Sequence, residues 1–277
     1  MAFETLDFSV ADKVATLTLS RPEALNTMTP EFWDEMVAVF AEIEDEPDIR
    51  CVVIASTGKH LTAGLDLKSF ADLQVDASLD IARQRELFRR KVLRMQRSFS
   101  VIDRCRVPVI AAIQGGCIGG GVDLACACDM RLVTQDAYFT IQEINIGIVA
   151  DVGTLQRMPA QLPDAIMREL AYTGRKLTAA EAVQYGFVNA AHRDHAAVLE
   201  AAKVLASDIA AKSPLAMSGI KNVLNFCRDH SIEDGLDYVA TWNAAMLQGD
   251  DPERAIGAVL MKQETAFADL GKLKKSG

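Results

Sequence analysis

No stretch of the chain sustains the roughly 20 apolar residues that a membrane-spanning helix needs, although half of its 277 residues are hydrophobic. A membrane protein is therefore not expected. Positive charge is scarce: 29 Lys and Arg stand against 38 Asp and Glu, a net charge of −9. Nucleic acid and anionic lipid would be repelled by that balance, so an anionic ligand would need a local pocket working against the global field. Disulfide spacing is missing too. Cys51, Cys105, Cys117, Cys126, Cys128 and Cys227 form no CxxC pair and lie mostly in apolar runs, which reads as buried thiols in a reducing compartment. His60, His192, His195 and His230 make neither HExxH nor a Cys/His cluster, so no metal is expected. No GxSxG elbow supports a serine nucleophile. Met1 to Val10 carries Glu4 and Asp7 in place of a basic-then-apolar leader, and Lys274-Lys275-Ser276-Gly277 is not an SKL-type address. The expectation is a soluble, cytoplasmic protein.

What remains is enough apolar residue for one large globular domain or one domain with a helical appendage. Phe3 to Val10 and Val14 to Ser20 alternate in polarity around Ala11-Asp12-Lys13, which predicts a hairpin. Thr29-Pro30 opens a helix whose apolar face is Phe32, Met36, Val39, Phe40 and Ile43. A strand at Cys51 to Ala55, a polar loop ending at Gly64 and a charged helix from Ile81 to Asp103 follow. Val107 to Ile113 reads as a buried strand leading into the glycine cluster Gly115 to Gly121. A helix, a strand at Met130 to Thr134 and another at Tyr138 to Gln142 come next. Past residue 200 only helices are predicted, broken near Ser213-Pro214, Ser231 and Asp251-Pro252. The fold class is α/β, with residues 1–200 as the core and 201–277 as a helical region.

Four features invite chemistry, and each also has a plain structural explanation. The run Gly115-Gly116-Cys117-Ile118-Gly119-Gly120-Gly121 joins a strand to a helix, where free N–H groups can face an anion or merely shape a turn. It is no dinucleotide fingerprint, because a GxGxxG begun at Gly119 fails at Leu124, and no Gly-Lys-Ser/Thr makes it a P-loop. Asp123 starts an otherwise apolar helix, where the helix dipole alone would favour it. Glu143 falls in phase with Phe139 and Ile141 on the face of a strand that should be buried, and a buried acid needs a partner or a function. Asp151, in Gly147 to Thr154, reads on local pattern as a helix N-cap.

Three motifs in order, Ser20-Arg21-Pro22-Glu23-Ala24-Leu25-Asn26, Leu61-Thr62-Ala63-Gly64-Leu65-Asp66-Leu67 and Gly115 through Asp129, resemble the enoyl-CoA hydratase/isomerase (crotonase) superfamily over nearly the whole chain. That resemblance implies a crotonase-like spiral of ββα units with a C-terminal helical trimerisation region, and hence a homotrimer or dimer of trimers. It implies an acyl-CoA thioester as substrate, with coenzyme A a part of the substrate and no separate cofactor. Its oxyanion hole would be the backbone N–H groups of Leu65 and Gly120, and Ala63, Gly64, Leu65, Asp66 and Leu67 would hold coenzyme A. Glu23 stands where many relatives have lysine. Two fixed donors in a water-poor pocket stabilise the charge that develops on a thioester oxygen when a neighbouring proton leaves.

The acids separate the subfamilies. Hydratases typically have glutamate where Asp123 stands and glycine where Asp151 stands, whereas Gln142-Glu143 through Ala150-Asp151-Val152-Gly153-Thr154-Leu155-Gln156-Arg157 is similar to the dienoyl-CoA isomerases. The implied catalytic set is Asp123, Glu143 and Asp151, with Glu143 serving C2, Asp151 serving C6 and Asp123 supporting both. Carboxylates crowded in an apolar cleft cannot all ionise, so an acid and a base coexist. Hydration of a 2-enoyl-CoA by Asp123 and Glu143 is the second reading. A non-catalytic acyl-CoA or RNA binder is the third, disfavoured by the retained acids and the negative charge. Pocket walls are expected from Ser69 to Arg94.

Overall fold

The computed structural model describes residues 3–69 and 76–272. In chain order its strands are β1 (Leu6–Ala11), β2 (Val14–Leu19), β3 (Cys51–Ser56), β4 (Val109–Ile113), β5 (Gly116–Ile118), β6 (Met130–Thr134), β7 (Tyr138–Thr140), β8 (Leu177–Thr178) and β9 (Ala190–His192). β1 and β2 form the expected hairpin, closed by Asp12 and Lys13 at φ 49° and 66°, the left-handed pair of a two-residue type I′ turn. β3, β4, β6 and β9 then add in parallel, giving a six-stranded sheet in the order β1-β2-β3-β4-β6-β9. A second sheet runs β5-β7-β8. The two sheets share a rhythm: β4 and β6 enter the large sheet, and the strand that follows each, β5 or β7, enters the small one. The segment after β3 behaves alike, since Thr62 bridges Cys117 of β5.

Parallel neighbours need long crossovers, and helices supply them. Helix α1 (Pro30–Asp45) links β2 to β3, α2 (Ile81–Arg104) links β3 to β4, and α3 (Gly120–Ala127) links β5 to β6. The predicted apolar face of α1 is buried, each such side chain stabilising the fold by roughly 1.5–3 kcal/mol on an area basis. Phe32 and Trp33 meet Phe99 of α2 edge-on, at ring centroids 6.3 and 5.6 Å apart. Those contacts fix α2 over α1. On the other side of the large sheet lies α7 (His195–Ala210), reached after α4 (Thr154–Arg157), α5 (Asp164–Thr173) and α6 (Ala179–Gln184). Its stripe Val198, Ala202, Ala206 and Ala210 is small enough to sit close against Val53, Ile110 and Leu132.

The remaining helices are α8 (Pro214–Asp229), α9 (Ile232–Met246) and α10 (Asp250–Met261). Ser213 and Ser231 cap α8 and α9 as their positions suggested. The third break is displaced: Gly249 is the cap of α10, and Pro252 lies in its first turn, where a missing N–H costs nothing. A buried lysine ties α8 to the core, Lys221 Nζ donating to the Ile102 and Val107 carbonyls and to Asp129 Oδ2 at 3.2, 3.0 and 2.7 Å. Leu224, Leu236, Val259 and Leu260 remain exposed.

Candidate active site

A cavity of about 650 Å³ opens where β5, the loop after β3, α1 and α2 converge. Leu61 to Leu67 and Gly115 to Gly120, distant in sequence, form one wall. Gly64 adopts φ 85°, and a Cβ there would lie 2.6 Å from the Ile118 carbonyl and 3.5 Å from Gly120 N, so only glycine lets the loops come this close. Met28 clamps the first loop by accepting from Asp66 N and donating to Gly64 O. Between those two bonds the Leu65 N–H donates to no described residue, and neither does the Gly120 N–H at the first position of α3. Both residues line the cavity. Two such donors on facing loops are what an oxyanion hole requires.

Gly119, at φ 53°, turns β5 into α3, whose eight residues are all buried, Asp123 at 0% exposure included. Arg131 secures the far end of α3 by donating to the Ala125 and Cys128 carbonyls at 2.8 Å each. Asp123 Oδ1 accepts a 2.6 Å bond from Thr154 N, while Oδ2 has no partner among the described residues. Burial pushes the Asp123 carboxyl up to about 6 despite that bond.

Glu143 is not on a strand. β7 ends at Thr140, and Glu143 stands in the first turn of a 3-10 helix over Gln142–Ile146 that closes on Gly147 at φ 74°. The period-2 pattern ran on past the strand because Ile141 is buried as well, beneath the turn. From there Glu143 reaches over the glycine turn, and a Cβ on Gly119 would lie 3.1 Å from its Oε1. Burial, then the Asp123 charge, push Glu143 up to about 7.

Asp151 does not cap a helix either: Gly153 is the cap of α4, and the carboxylate that takes the Thr154 N–H belongs to Asp123. The loop is pinned from α2, where Gln96 Nε2 donates 2.7 Å to the Asp151 carbonyl, which leaves the half-buried side chain to the cavity. Burial raises its carboxyl too.

Glu143 and Asp151 thus line the cavity with Ala63, Gly64, Leu65, Leu67 and Gly120, and Asp123 lies just behind it. Asp66 does not face in; its carboxylate accepts from Thr27 Oγ1 and Lys68 N. Of the stretch Ser69 to Arg94, Phe88 forms wall, and residues 70–75 lie outside the described residues. Trp33, Met95, Tyr138, Ile146 and Ile148 complete the wall, and Lys176 is the one cation among the described lining residues, its Nζ 3.9 Å from the Tyr138 ring centroid. Only three-dimensional folding assembles these, so no local signal marked them. The described residues include no group of three or more side chains suited to a metal.

A strand-strand-helix fold carrying two free N–H donors beside three acids whose carboxyls burial raises defines an enzyme of the enolate-stabilising class. The chain belongs to the enoyl-CoA hydratase/isomerase family, whose model matches residues 9–269. It is 43% identical to the mitochondrial Delta(3,5)-Delta(2,4)-dienoyl-CoA isomerase of Mus musculus, over 98% of this chain and 84% of that one. It is 40% identical to the peroxisomal enzyme of the same name from Arabidopsis thaliana, over 97% and 99%. Among solved structures, an enoyl-CoA hydratase from Bacillus anthracis superposes with a TM-score of 0.86 at 26% identity, covering 95% of this chain and 99% of that one. The relatives overturn the cytoplasmic location expected from the sequence, since they are mitochondrial or peroxisomal. Charge balance and cysteine usage are shared by proteins of all three compartments and carry no address.

Proposed function

We propose that the chain converts 3,5-dienoyl-CoA to 2,4-dienoyl-CoA through a dienolate held by Leu65 N–H and Gly120 N–H. The observation that carries this is the third acid, Asp151, in the same cavity as Glu143 and supported by Asp123. Glu143 lies over Gly119, next to the Gly120 donor, so it is the acid beside a thioester carbonyl seated there and it takes the proton from C2. Its value of about 7 suits a general base at neutral pH. The electron pair left at C2 delocalises onto the thioester oxygen and along the diene to C6. Asp151, raised by burial, gives its proton to C6, and the double bonds come to rest at C2 and C4. A charge on Asp123 discourages Glu143 from ionising as well.

Purified protein given a 3,5-dienoyl-CoA should develop the ultraviolet absorbance of the conjugated 2,4-dienoyl thioester, and a 2-enoyl-CoA should be hydrated far more slowly. The reverse order would favour hydration by Asp123 and Glu143. We also assign assembly to the helices after α7, as a homotrimer or dimer of trimers, on the strength of their exposed leucines and valine.

A further inference from the structure

Behind the acids, on the far side of Val152 and Gly153, lies a second cavity of about 310 Å³ with polar walls: Gln96, Ser100, Asp103, Gln156, Arg157 and Arg228. Val152 borders both cavities, so the two are separated by one layer of chain. Arg157, largely buried, is held there on one side. Its Nη2 donates to Ser100 Oγ at 3.2 Å, and its Nε pairs with Asp103 Oδ2 at 3.5 Å. Asp103 is itself held by Arg228 Nη1 at 3.0 Å. The third nitrogen, Nη1, donates to no described residue and lies against Gly153. A Cβ on Gly153 would sit 1.9 Å from Nη1 and 4.0 Å from Asp123 Oδ1, which keeps the guanidinium inside the roughly 6 Å at which an opposite charge favours ionisation.

We infer that Arg157 is a positioning residue that supplies, through the gap left by Gly153, the counter-charge to Asp123. The inference rests on the reading of Asp123 as the supporting acid. Three carboxyls at one apolar site would otherwise compete to stay neutral, and which one ionised first would be left to small differences in burial. Thr154 N–H and Arg157 both act on Asp123 alone among the three, and both favour its charged form. The other titratable groups near Asp123 oppose it or are neutral: Glu143 and Asp151 are like charges, and the buried Cys117 and Cys126 thiols are pushed far toward their neutral forms. Arg157 is thus the cation that breaks the symmetry of the set. Side chains larger than hydrogen at position 153 would fill the space between the two charges, and the φ of 142° there also suits glycine.

Carbon-13 spectroscopy of the aspartate carboxyl carbons, with the Asp123 signal assigned from its loss in Asp123→Asn, reads the charge directly and without substrate. In Arg157→Gln the Asp123 midpoint should move up by about one pH unit from its wild-type position. Asp103→Asn removes an anion that offsets the guanidinium and should move the midpoint down, and it serves alone should Arg157→Gln fail to fold. A midpoint unmoved in folded Arg157→Gln, or raised in Asp103→Asn, overturns the inference, because a merely structural Arg157 would change melting temperature and leave the titration alone. Were wild type inert toward dienoyl-CoA while both midpoints shifted as stated, the reaction assigned above would fall and the counter-charge would stand.

Discussion

Asp123 holds the start of a helix that begins 31 residues after it, its Oδ1 taking the Thr154 N–H at 2.6 Å in a fully buried site. This one bond joins α3, which carries an acid and the Gly120 donor, to the loop that carries Asp151. The acid site and the local scaffold are therefore the same set of atoms, and changes at Asp123 have two separable consequences, one for stability and one for turnover.

The first is a dependence of stability on pH. The folded-state value of about 6 lies above the ordinary 3.8, so the protonated form is favoured by folding. That contribution is complete below 3.8 and is lost as pH rises through about 6, costing no more than about 3 kcal/mol at neutral pH. Asp123→Asn keeps an oxygen for Thr154 and does not titrate. Its melting temperature relative to wild type should climb between pH 4 and pH 7 and level off above. A difference that stays constant over that range would exclude a raised Asp123.

The proposed oxyanion donors give a second expectation. Proline is tolerated at the first position of a helix, where Gly120 stands, but it lacks the N–H. A Cβ there meets Met28 Sδ at 2.7 Å, so Gly120→Ala imposes that clash while keeping the N–H and serves as the control. Gly120→Pro should turn over at least about 100-fold more slowly than Gly120→Ala. Equal rates in the two would remove Gly120 from the oxyanion hole.

Much of this arrangement was legible in the chain. The hairpin at Asp12-Lys13, the face of α1 and the starts of α8 and α9 follow from period and capping chemistry, which are local. Glu143 was expected on a buried strand face, yet it is half-buried in a 3-10 turn, because Ile141 stays buried past the end of β7 and the alternation gives no sign of the change. Asp151 looked like a cap because its neighbours do begin a helix, yet a carboxylate from α3 had already taken that N–H. Arg157 closes the isomerase-like string, but nothing in its neighbours marks a role for it. Its meaning depends on a glycine four residues back and on Asp103 in another helix.

Assembly can be tested at the exposed face of α10. Val259 and Leu260 are 74% and 80% exposed, and two large apolar side chains of that kind side by side need a cover. Light scattering should give three or six chain masses for wild type, and Val259→Glu with Leu260→Glu should lower that number. A wild-type mass of one chain at micromolar concentration would rule out the trimer.

The sharpest expectation concerns Asp151, which alone separates isomerisation from hydration. Its backbone carbonyl is held by Gln96, and its side chain takes part in no helix cap, so Asp151→Asn removes a proton donor and little structure. Melting temperature should be almost unchanged. Dienoyl-CoA isomerisation should fall by the roughly 10²–10⁴-fold typical of a lost general acid or base. In heavy water, wild type should place deuterium at C6 of the product, and the variant should acquire that label far more slowly, while exchange at C2 through Glu143 should persist. That split between the two carbons is the diagnostic feature, because a variant that was simply misfolded would lose both. Normal C6 labelling at full rate in Asp151→Asn would dismiss Asp151 as the C6 acid and return hydration to first place.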